Sequence, residues 1–137
     1  MRLRFLLFTL LATIALVTCG NNNPAIETLS AEDFELKLQQ TFAPQLVDVR
    51  TAEEFGEFHI AGALNIDVNG SGFEDSIAVL DKGSPIFVYC KGGNRSMKAA
   101  AILEKHGYKP IYNLAGGIIE WKEKGKLVEL SIESYKR

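Results

Sequence analysis

Cysteine is scarce in this sequence, which has two among 137 residues, at positions 19 and 90. Enzymes that cycle a dithiol need a second cysteine nearby, as in a Cys-x-x-Cys pair, and the sequence has no such pair. Histidine is equally scarce, and His59 has no second His, Cys or carboxylate beside it at the spacing of a metal site. The residues therefore argue against a dithiol oxidoreductase, and they predict no metal and no cofactor.

An excess of charge of either sign is also missing. The formal net charge is −2, and the Lys and Arg residues are scattered along the chain. Proteins that bind nucleic acid usually carry a clustered basic surface, so no nucleic-acid partner is expected. A small anionic or sulfur-bearing substrate is easier to accommodate. The length and the hydrophobic content of 47% suit one compact domain, expected to be a monomer.

No apolar run is long enough to span a membrane as a helix. The longest N-terminal run, 5–17, has 13 residues, whereas a bilayer needs roughly 20. Arg2 and Arg4 precede this run, and no acidic residue occurs before Glu27. The pattern is typical of a secretory signal peptide, which we assign to residues 1–18. An uncleaved membrane anchor is the alternative.

The end of this run resembles the lipobox of bacterial lipoproteins, in which a cysteine is lipidated and becomes the new N-terminus. The matching residues are Leu16-Val17-Thr18-Cys19-Gly20, with Thr18 where Gly, Ala or Ser is usual. We therefore expect lipidation of Cys19, with ordinary cleavage nearby as the alternative. Residues 19–28 are then a lipidated N-terminus and polar tether. The protein is expected in the periplasm or cell envelope, and it contacts the membrane only through its lipid.

Helical and strand patterns alternate along the rest of the chain. Apolar runs predict strands at 46–49, 85–89 and 111–114, and a weaker one at 63–66. Ser30 with Asp33 and Thr51 with Glu54 are predicted caps of helices at 31–40 and 51–55. Apolar spacing predicts further helices at 73–80, 95–106 and 117–121, and the apolar face of 95–106 is predicted to be Met97, Ala100, Ala101, Ile102 and Leu103. Such alternation predicts an α/β domain over 29–125, with a central parallel sheet of about five strands and helices on both faces. Residues 126–137 form a C-terminal extension.

Cys90 follows the strongest predicted strand and precedes the longest predicted helix. In open α/β sheets, ligands bind where the carboxyl end of a strand meets a helix. Adjacent glycines let the backbone curl so that successive N–H groups point inward, and the helix start adds positive potential. Together with two basic side chains, these groups favour the thiolate, so Cys90 is the predicted nucleophile. The predicted binding residues are Lys91, Gly92, Gly93, Asn94, Arg95 and Ser96.

The sequence leaves three alternative interpretations of this loop. Cys90 alone could be a buried structural thiol, which is the usual fate of a free cysteine. Ser96 could be only a helix cap. A cysteine phosphatase or arsenate reductase is disfavoured because four residues separate Cys90 from Arg95, whereas phosphatase loops have five. Tyr89 also occupies the position of the histidine that usually precedes the phosphatase cysteine.

The segment Cys90–Ser96 resembles the active-site loop of the rhodanese family. Three further segments, 46–55, 59–66 and 116–121, resemble other motifs of that family in the same order. The resemblance implies a single-domain sulfurtransferase in which Cys90 carries a persulfide. It also implies that backbone amides from Lys91 to Arg95 stabilise the persulfide, and that Lys91 or Arg95 helps to hold an anionic donor.

The function expected from this resemblance is transfer of a sulfane sulfur from a donor such as thiosulfate to a thiol or cyanide-like acceptor. The alternative is a rhodanese-like module that binds a partner or senses redox state without turnover. Asp48 and Arg50 are expected to form an ion pair or hydrogen bonds that support the loops near the site. His59 is expected to be a packing residue.

Overall fold

The computed structural model describes residues 24–130. The predicted signal peptide, Cys19 and the last seven residues therefore lie outside the described part. The strands are β1 (Ile26–Leu29), β2 (Gln45–Asp48), β3 (Phe58–His59), β4 (Leu64–Asn65), β5 (Ile86–Tyr89), β6 (Ile111–Leu114) and β7 (Glu129–Leu130). The helices are α1 (Ala31–Gln40), α2 (Ala52–Glu57), α3 (Phe73–Ser76), α4 (Asn94–Lys105) and α5 (Gly117–Glu123), and Ile77–Val79 form a 3₁₀ turn.

Five strands form a central sheet in the order β1-β6-β5-β2-β4, and all neighbours are parallel. Alternate residues of β5 enter two separate cores. Ile86 and Val88 pack with α3 and α4, whereas Phe87 and Tyr89 pack with α1 and α5. Helices therefore cover both faces, which confirms the predicted α/β fold. All four residues of β5 are buried, as expected for the central strand of a covered parallel sheet.

Two helices begin at the side chains that the sequence indicates. The Ser30 hydroxyl accepts a hydrogen bond from the Asp33 backbone N–H at 3.2 Å, at the start of α1. At the start of α2, Thr51 and Glu54 form a full capping box in which each side chain accepts from the other residue's backbone N–H. Both helices thus start near the carboxyl ends of their preceding strands.

The buried face of α4 differs from the predicted one. Ala99, Ala100 and Leu103 are buried, whereas Met97 is 44% exposed and Ala101 is exposed. Apolar spacing predicts Met97 and Ala101 on the buried face, and that part of the prediction is wrong. The buried residues instead follow helical spacing from Ser96 through Ala99 and Ala100 to Leu103. The small side chains among them let the helix lie close against the sheet.

Three strands were not predicted from the sequence. The edge strand β1 pairs with β6 and lies mostly within the segment interpreted as a tether. Its apolar pattern is weak because Glu27 and Thr28 occupy its middle. The two-residue strands β3 and β7 pair in antiparallel fashion, which joins the segment after α5 to the segment after α2. Both are too short to produce a recognisable alternation.

Adjacent alanines of α4 provide a test of which face is buried. Ala100→Leu should lower the free energy of unfolding by about 1–3 kcal/mol, because the added atoms have no space against the sheet. Ala101→Leu, one position along on the exposed side, should change it by less than about 0.5 kcal/mol. Urea denaturation of both variants measures the difference. Equal losses, or a larger loss for Ala101→Leu, would contradict this arrangement of α4.

Candidate active site

Cys90 directly follows the central strand β5 and therefore lies at the carboxyl edge of the sheet. Parallel pairing with β2 and β6 brings the ends of three strands together at this edge. The chain then turns through residues 90–93 and enters α4 at Asn94. Cys90 is only 1% exposed. Lys91, Gly92 and Asn94 lie on the exposed side of this loop.

The Cys90 sulfur is a hydrogen-bond acceptor at the start of α4. The Gly93 backbone N–H donates to Sγ at 3.1 Å. The Ser96 Oγ lies 3.4 Å from Sγ and 2.9 Å from the Gly93 carbonyl oxygen. Its single proton can point to either acceptor, so it can turn to the sulfur when the sulfur is charged. Gly93, with a φ of +100°, is the N-cap of α4, so Ser96 is not a simple cap.

These hydrogen bonds decide the charge state of the thiol. Burial on its own raises the pKa of Cys90. The Ser96 hydroxyl and the backbone N–H groups of Ser96, Gly93 and Gly92 oppose burial, and the net pKa lies below its ordinary value. Hydrogen bonds to the sulfur therefore outweigh desolvation, and the site favours the thiolate.

Contacts with α5 fix the backbone direction of one of these donors, the Gly92 N–H. The Ile118 N–H donates to the Cys90 carbonyl oxygen at 2.9 Å, and the Ile119 N–H donates to that of Lys91 at 3.2 Å. In a planar trans peptide the following N–H points the opposite way from the carbonyl. Since the Lys91 carbonyl points toward α5, the Gly92 N–H is left on the side of the sulfur.

Two glycines make this close packing possible. A Cβ on Gly93 would lie 2.0 Å from the Ala115 carbonyl oxygen. A Cβ on Gly117, which has a φ of +60°, would lie 2.4 and 2.5 Å from the carbonyl oxygens of Lys91 and Cys90. Any larger residue at either position would push the loop away from the β6–α5 turn. In the sequence, Gly117 is only part of the family-like segment 116–121. Its contact with the Cys90 loop appears only in three dimensions.

Arg95 is engaged by a carboxylate on another helix. Its Nη1 and Nη2 donate to Glu54 Oε2 and Oε1 at 2.7 and 2.8 Å. The Arg95 guanidinium lowers the pKa of Glu54 to about 2, so the pair stays charged near neutral pH. The sequence identified Glu54 as a capping residue, and the same carboxylate both caps α2 and holds α4. The capping pattern in the sequence does not indicate the contact of Glu54 with Arg95.

A buried ion pair supports the loop from the adjacent strand. Arg50 Nη2 donates to Asp48 Oδ2 at 2.7 Å and to the Phe58 carbonyl oxygen at 2.6 Å, and both charged residues are buried. The Arg50 guanidinium also lies 5.9 Å from the ring centroid of Tyr89, the residue before Cys90. The Tyr89 hydroxyl accepts from the Ile60 N–H at 3.0 Å. These contacts fix the strand end from which the cysteine extends.

The His59 side chain contacts residues of α2 and β7. Its ring stacks on Phe55 with centroids 3.9 Å apart. Nδ1 lies 3.0 Å from the Phe55 carbonyl oxygen, and Nε2 lies 3.1 Å from Glu129 Oε2. The side chain therefore links α2 to β7, and its contacts are those of a packing residue.

Residues 24–130 hold neither a cluster of metal ligands nor a membrane-spanning helix. No group of three or more His, Cys, Asp or Glu side chains there is placed to hold a metal ion. No helix in this part of the chain has the length and apolar character needed to cross a bilayer.

Comparison with known proteins gives consistent matches. The family profile described as the rhodanese-like domain matches residues 30–124. The uncharacterized protein YqhL of Bacillus subtilis is 38% identical over 101 residues, covering 74% of this chain and 76% of that protein. The thiosulfate sulfurtransferase GlpE of Pseudomonas aeruginosa (strain LESB58) is 37% identical over 78 residues, 57% of this chain and 69% of that protein.

A solved structure shares the same fold. The rhodanese-like domain protein from Staphylococcus aureus superimposes with a TM-score of 0.66 at 28% identity, covering 77% of this chain and 98% of that one. The profile match extends from Ser30 at the start of α1 to the residue after α5, and it includes the whole Cys90 loop. The chain therefore belongs to the rhodanese-like domain family.

Proposed function

We propose that this protein is a sulfurtransferase that carries a sulfane sulfur on Cys90, from a donor such as thiosulfate to a thiophilic acceptor. The observation that carries the proposal is the set of hydrogen-bond donors around Sγ, which lowers the pKa of a buried cysteine. A structural thiol needs no such donors, since burial among apolar groups already suits the neutral form. The sulfurtransferase name of one relative agrees with the proposal.

The first step of the proposed reaction is attack on the donor. The Cys90 thiolate forms a bond to the outer sulfur of thiosulfate, the sulfur–sulfur bond of the donor breaks, and sulfite leaves with the electron pair. The product is a Cys90 persulfide with its charge on the terminal sulfur. The inward N–H groups at the start of α4 are placed to stabilise this charge, as they stabilise the thiolate.

The second step passes the sulfur to an acceptor from outside the domain. Cys90 is the free cysteine in the part of the chain that the structure describes. Release by an internal disulfide would need a second thiol near the loop. An external thiolate or cyanide instead attacks the terminal sulfur, and the Cys90 thiolate is regenerated as the leaving group. Such a double displacement gives ping-pong kinetics.

The persulfide can be detected directly. Incubation of the purified protein with excess thiosulfate, or with a small-molecule persulfide, should add one sulfur atom to the Cys90 peptide, and a reducing agent should remove it. Mass spectrometry of the intact protein and of its proteolytic peptides measures the gain and its position.

A Cys90→Ala variant is the control for this measurement, and it should gain no sulfur at this peptide. A folded wild-type protein that gains none from either donor would contradict the proposal. It would also favour the alternative of a rhodanese-like module that binds or senses without turnover.

The pH dependence of thiol reactivity tests the role of Ser96. Because the pKa of Cys90 is lowered, its alkylation by iodoacetamide should reach half its maximum rate below the pH found for an ordinary cysteine thiol. The rate should fall as the pH drops through that lowered pKa and the thiolate is protonated. Ser96→Ala removes the largest opposing hydrogen bond, so its midpoint should move to higher pH.

Ser76→Ala provides a matched control for Ser96→Ala. The exposed Ser76, the last residue of α3, donates its hydroxyl to the Gly72 carbonyl oxygen and lies outside the Cys90 loop. Its loss should leave the alkylation midpoint unchanged. A Ser96→Ala midpoint equal to that of Ser76→Ala would show that the hydroxyl does not stabilise the thiolate.

A further inference from the structure

The loop around Cys90 presents less positive charge than its sequence indicates. Its two basic residues are Lys91 and Arg95. Arg95 has two hydrogen bonds to Glu54, at 2.7 and 2.8 Å, so most of its charge is balanced by an adjacent carboxylate. Lys91 is exposed, and water screens an exposed ammonium strongly. The hydrogen bonds that lower the pKa of the Cys90 thiol come from neutral N–H and O–H groups, and the paired Arg95 adds a Coulombic attraction to the sulfur.

Other charges near Arg95 do not restore a positive field. Asp67, which follows β4, is the next carboxylate whose charge acts on Arg95. Lys98, one turn along α4, donates to the Asn69 side chain at 3.2 Å. Arg50 is buried in its pair with Asp48. Glu54 and Asp67 thus oppose the positive charge of Arg95, and the nearby Lys98 is engaged with a neutral amide.

Sulfur donors differ in the charge that they bring to this loop. Thiosulfate is a dianion, and its leaving group, sulfite, takes away two negative charges. A persulfide, R–S–SH or its monoanion, brings at most one charge at the reacting sulfurs, and its leaving group is a thiolate. A loop whose arginine is already paired with a carboxylate has a larger electrostatic penalty for the dianion than for the monoanion. Preference for a dianionic donor would be strengthened by a loop arginine that is free to contact it.

We propose that Glu54 is a specificity-determining residue, which by neutralising Arg95 favours persulfide donors over thiosulfate. The inference rests on the proposed sulfurtransferase function and names the donor class for the same site. Glu54 contacts Arg95 and not the sulfur, so it acts through Arg95.

The favoured reaction conserves atoms and charge. The Cys90 thiolate forms a bond to the outer sulfur of R–S–SH, and the sulfur–sulfur bond of the donor breaks. R–S⁻ leaves with the electron pair, and the proton stays on the transferred sulfur, giving Cys90–S–SH. No oxidant or reductant is consumed, since the sulfane sulfur only changes its partner.

Glu54→Gln is the variant that tests this proposal. Glutamine keeps an oxygen that can accept from the Thr51 N–H, which Glu54 now does at 3.1 Å, so the start of α2 retains its cap. The charge on Arg95 is then no longer balanced. Donor selectivity is the ratio of kcat/KM for thiosulfate to kcat/KM for glutathione persulfide. It is measured on the purified full chain by sulfur delivery to cyanide, with the Cys90→Ala rate subtracted.

Removal of one negative charge beside Arg95 should raise this ratio about tenfold, mainly through a lower KM for thiosulfate. High salt should reduce the gain, because screening weakens the interaction of Arg95 with the dianion. Glu53→Gln is the matched control, since it removes the same charge from an exposed neighbour whose carboxylate does not contact Arg95. Its ratio should stay within about twofold of the wild type.

Three results overturn the proposal. One is a wild-type ratio in favour of thiosulfate, and another is a Glu54→Gln ratio unchanged from the wild type. The third is an equal rise in Glu53→Gln, which would show an effect of overall charge and not of the pair with Arg95. A purely structural role for Glu54 would lower both rates together and leave the ratio unchanged. Absence of transfer from both donors would instead contradict the proposed function itself.

Discussion

The hydrogen bonds from the start of α5 to the carbonyl oxygens of Cys90 and Lys91 determine what the loop can do. They turn these two carbonyl groups away from the sulfur, and the planar peptide after Lys91 then directs the Gly92 N–H toward it. Without this constraint a short loop between a strand and a helix could expose carbonyl oxygens to the sulfur. Such oxygens would repel a thiolate. Gly93 and Gly117 are needed because any Cβ there would separate the two backbones.

Ion pairs hold the elements around the loop in place, and hydrogen bonds from neutral N–H and O–H groups lower the pKa of Cys90. Asp48 and Arg50 fix the neighbouring strand end, while Glu54 and Arg95 tie α2 to the first turn of α4. Each arginine is paired with a carboxylate, and the charge of Arg95 still attracts the Cys90 sulfur. The lowered pKa of Cys90 depends mainly on short-range hydrogen bonds, which salt weakens far less than it weakens exposed charges.

Much of the fold could be predicted from sequence because its signals are local. The apolar run of β5, the cap at Ser30 and the capping box at Thr51 each depend on a few adjacent residues, and the structure has all three. The strands β1, β3 and β7 gave no such signal, since their stability comes from partners distant in sequence. The error in the buried face of α4 has the same origin. Alanine is apolar on either face, and only contact with the sheet shows which alanines are covered.

The residues of the candidate site also divide into those with a local signal in the sequence and those without one. Cys90 and its glycine-rich loop were evident because strand, loop and helix start are contiguous in sequence. The pair between Glu54 and Arg95 joins residues 41 positions apart, and the local cap already accounted for Glu54. From the sequence alone, Arg95 therefore counts as a free positive charge.

Burial and activation of Cys90 are not opposed in this fold, although burial usually keeps a thiol neutral. A sulfur at the end of a central parallel strand is covered by the sheet and its helices, and this cover alone would raise its pKa. The same position faces the first turn of α4, where backbone N–H groups have no helical acceptor. The sulfur accepts from these groups, and its cover then excludes the water that would compete for them. A thiol with 1% exposure can thus be part of the core and still have a lowered pKa.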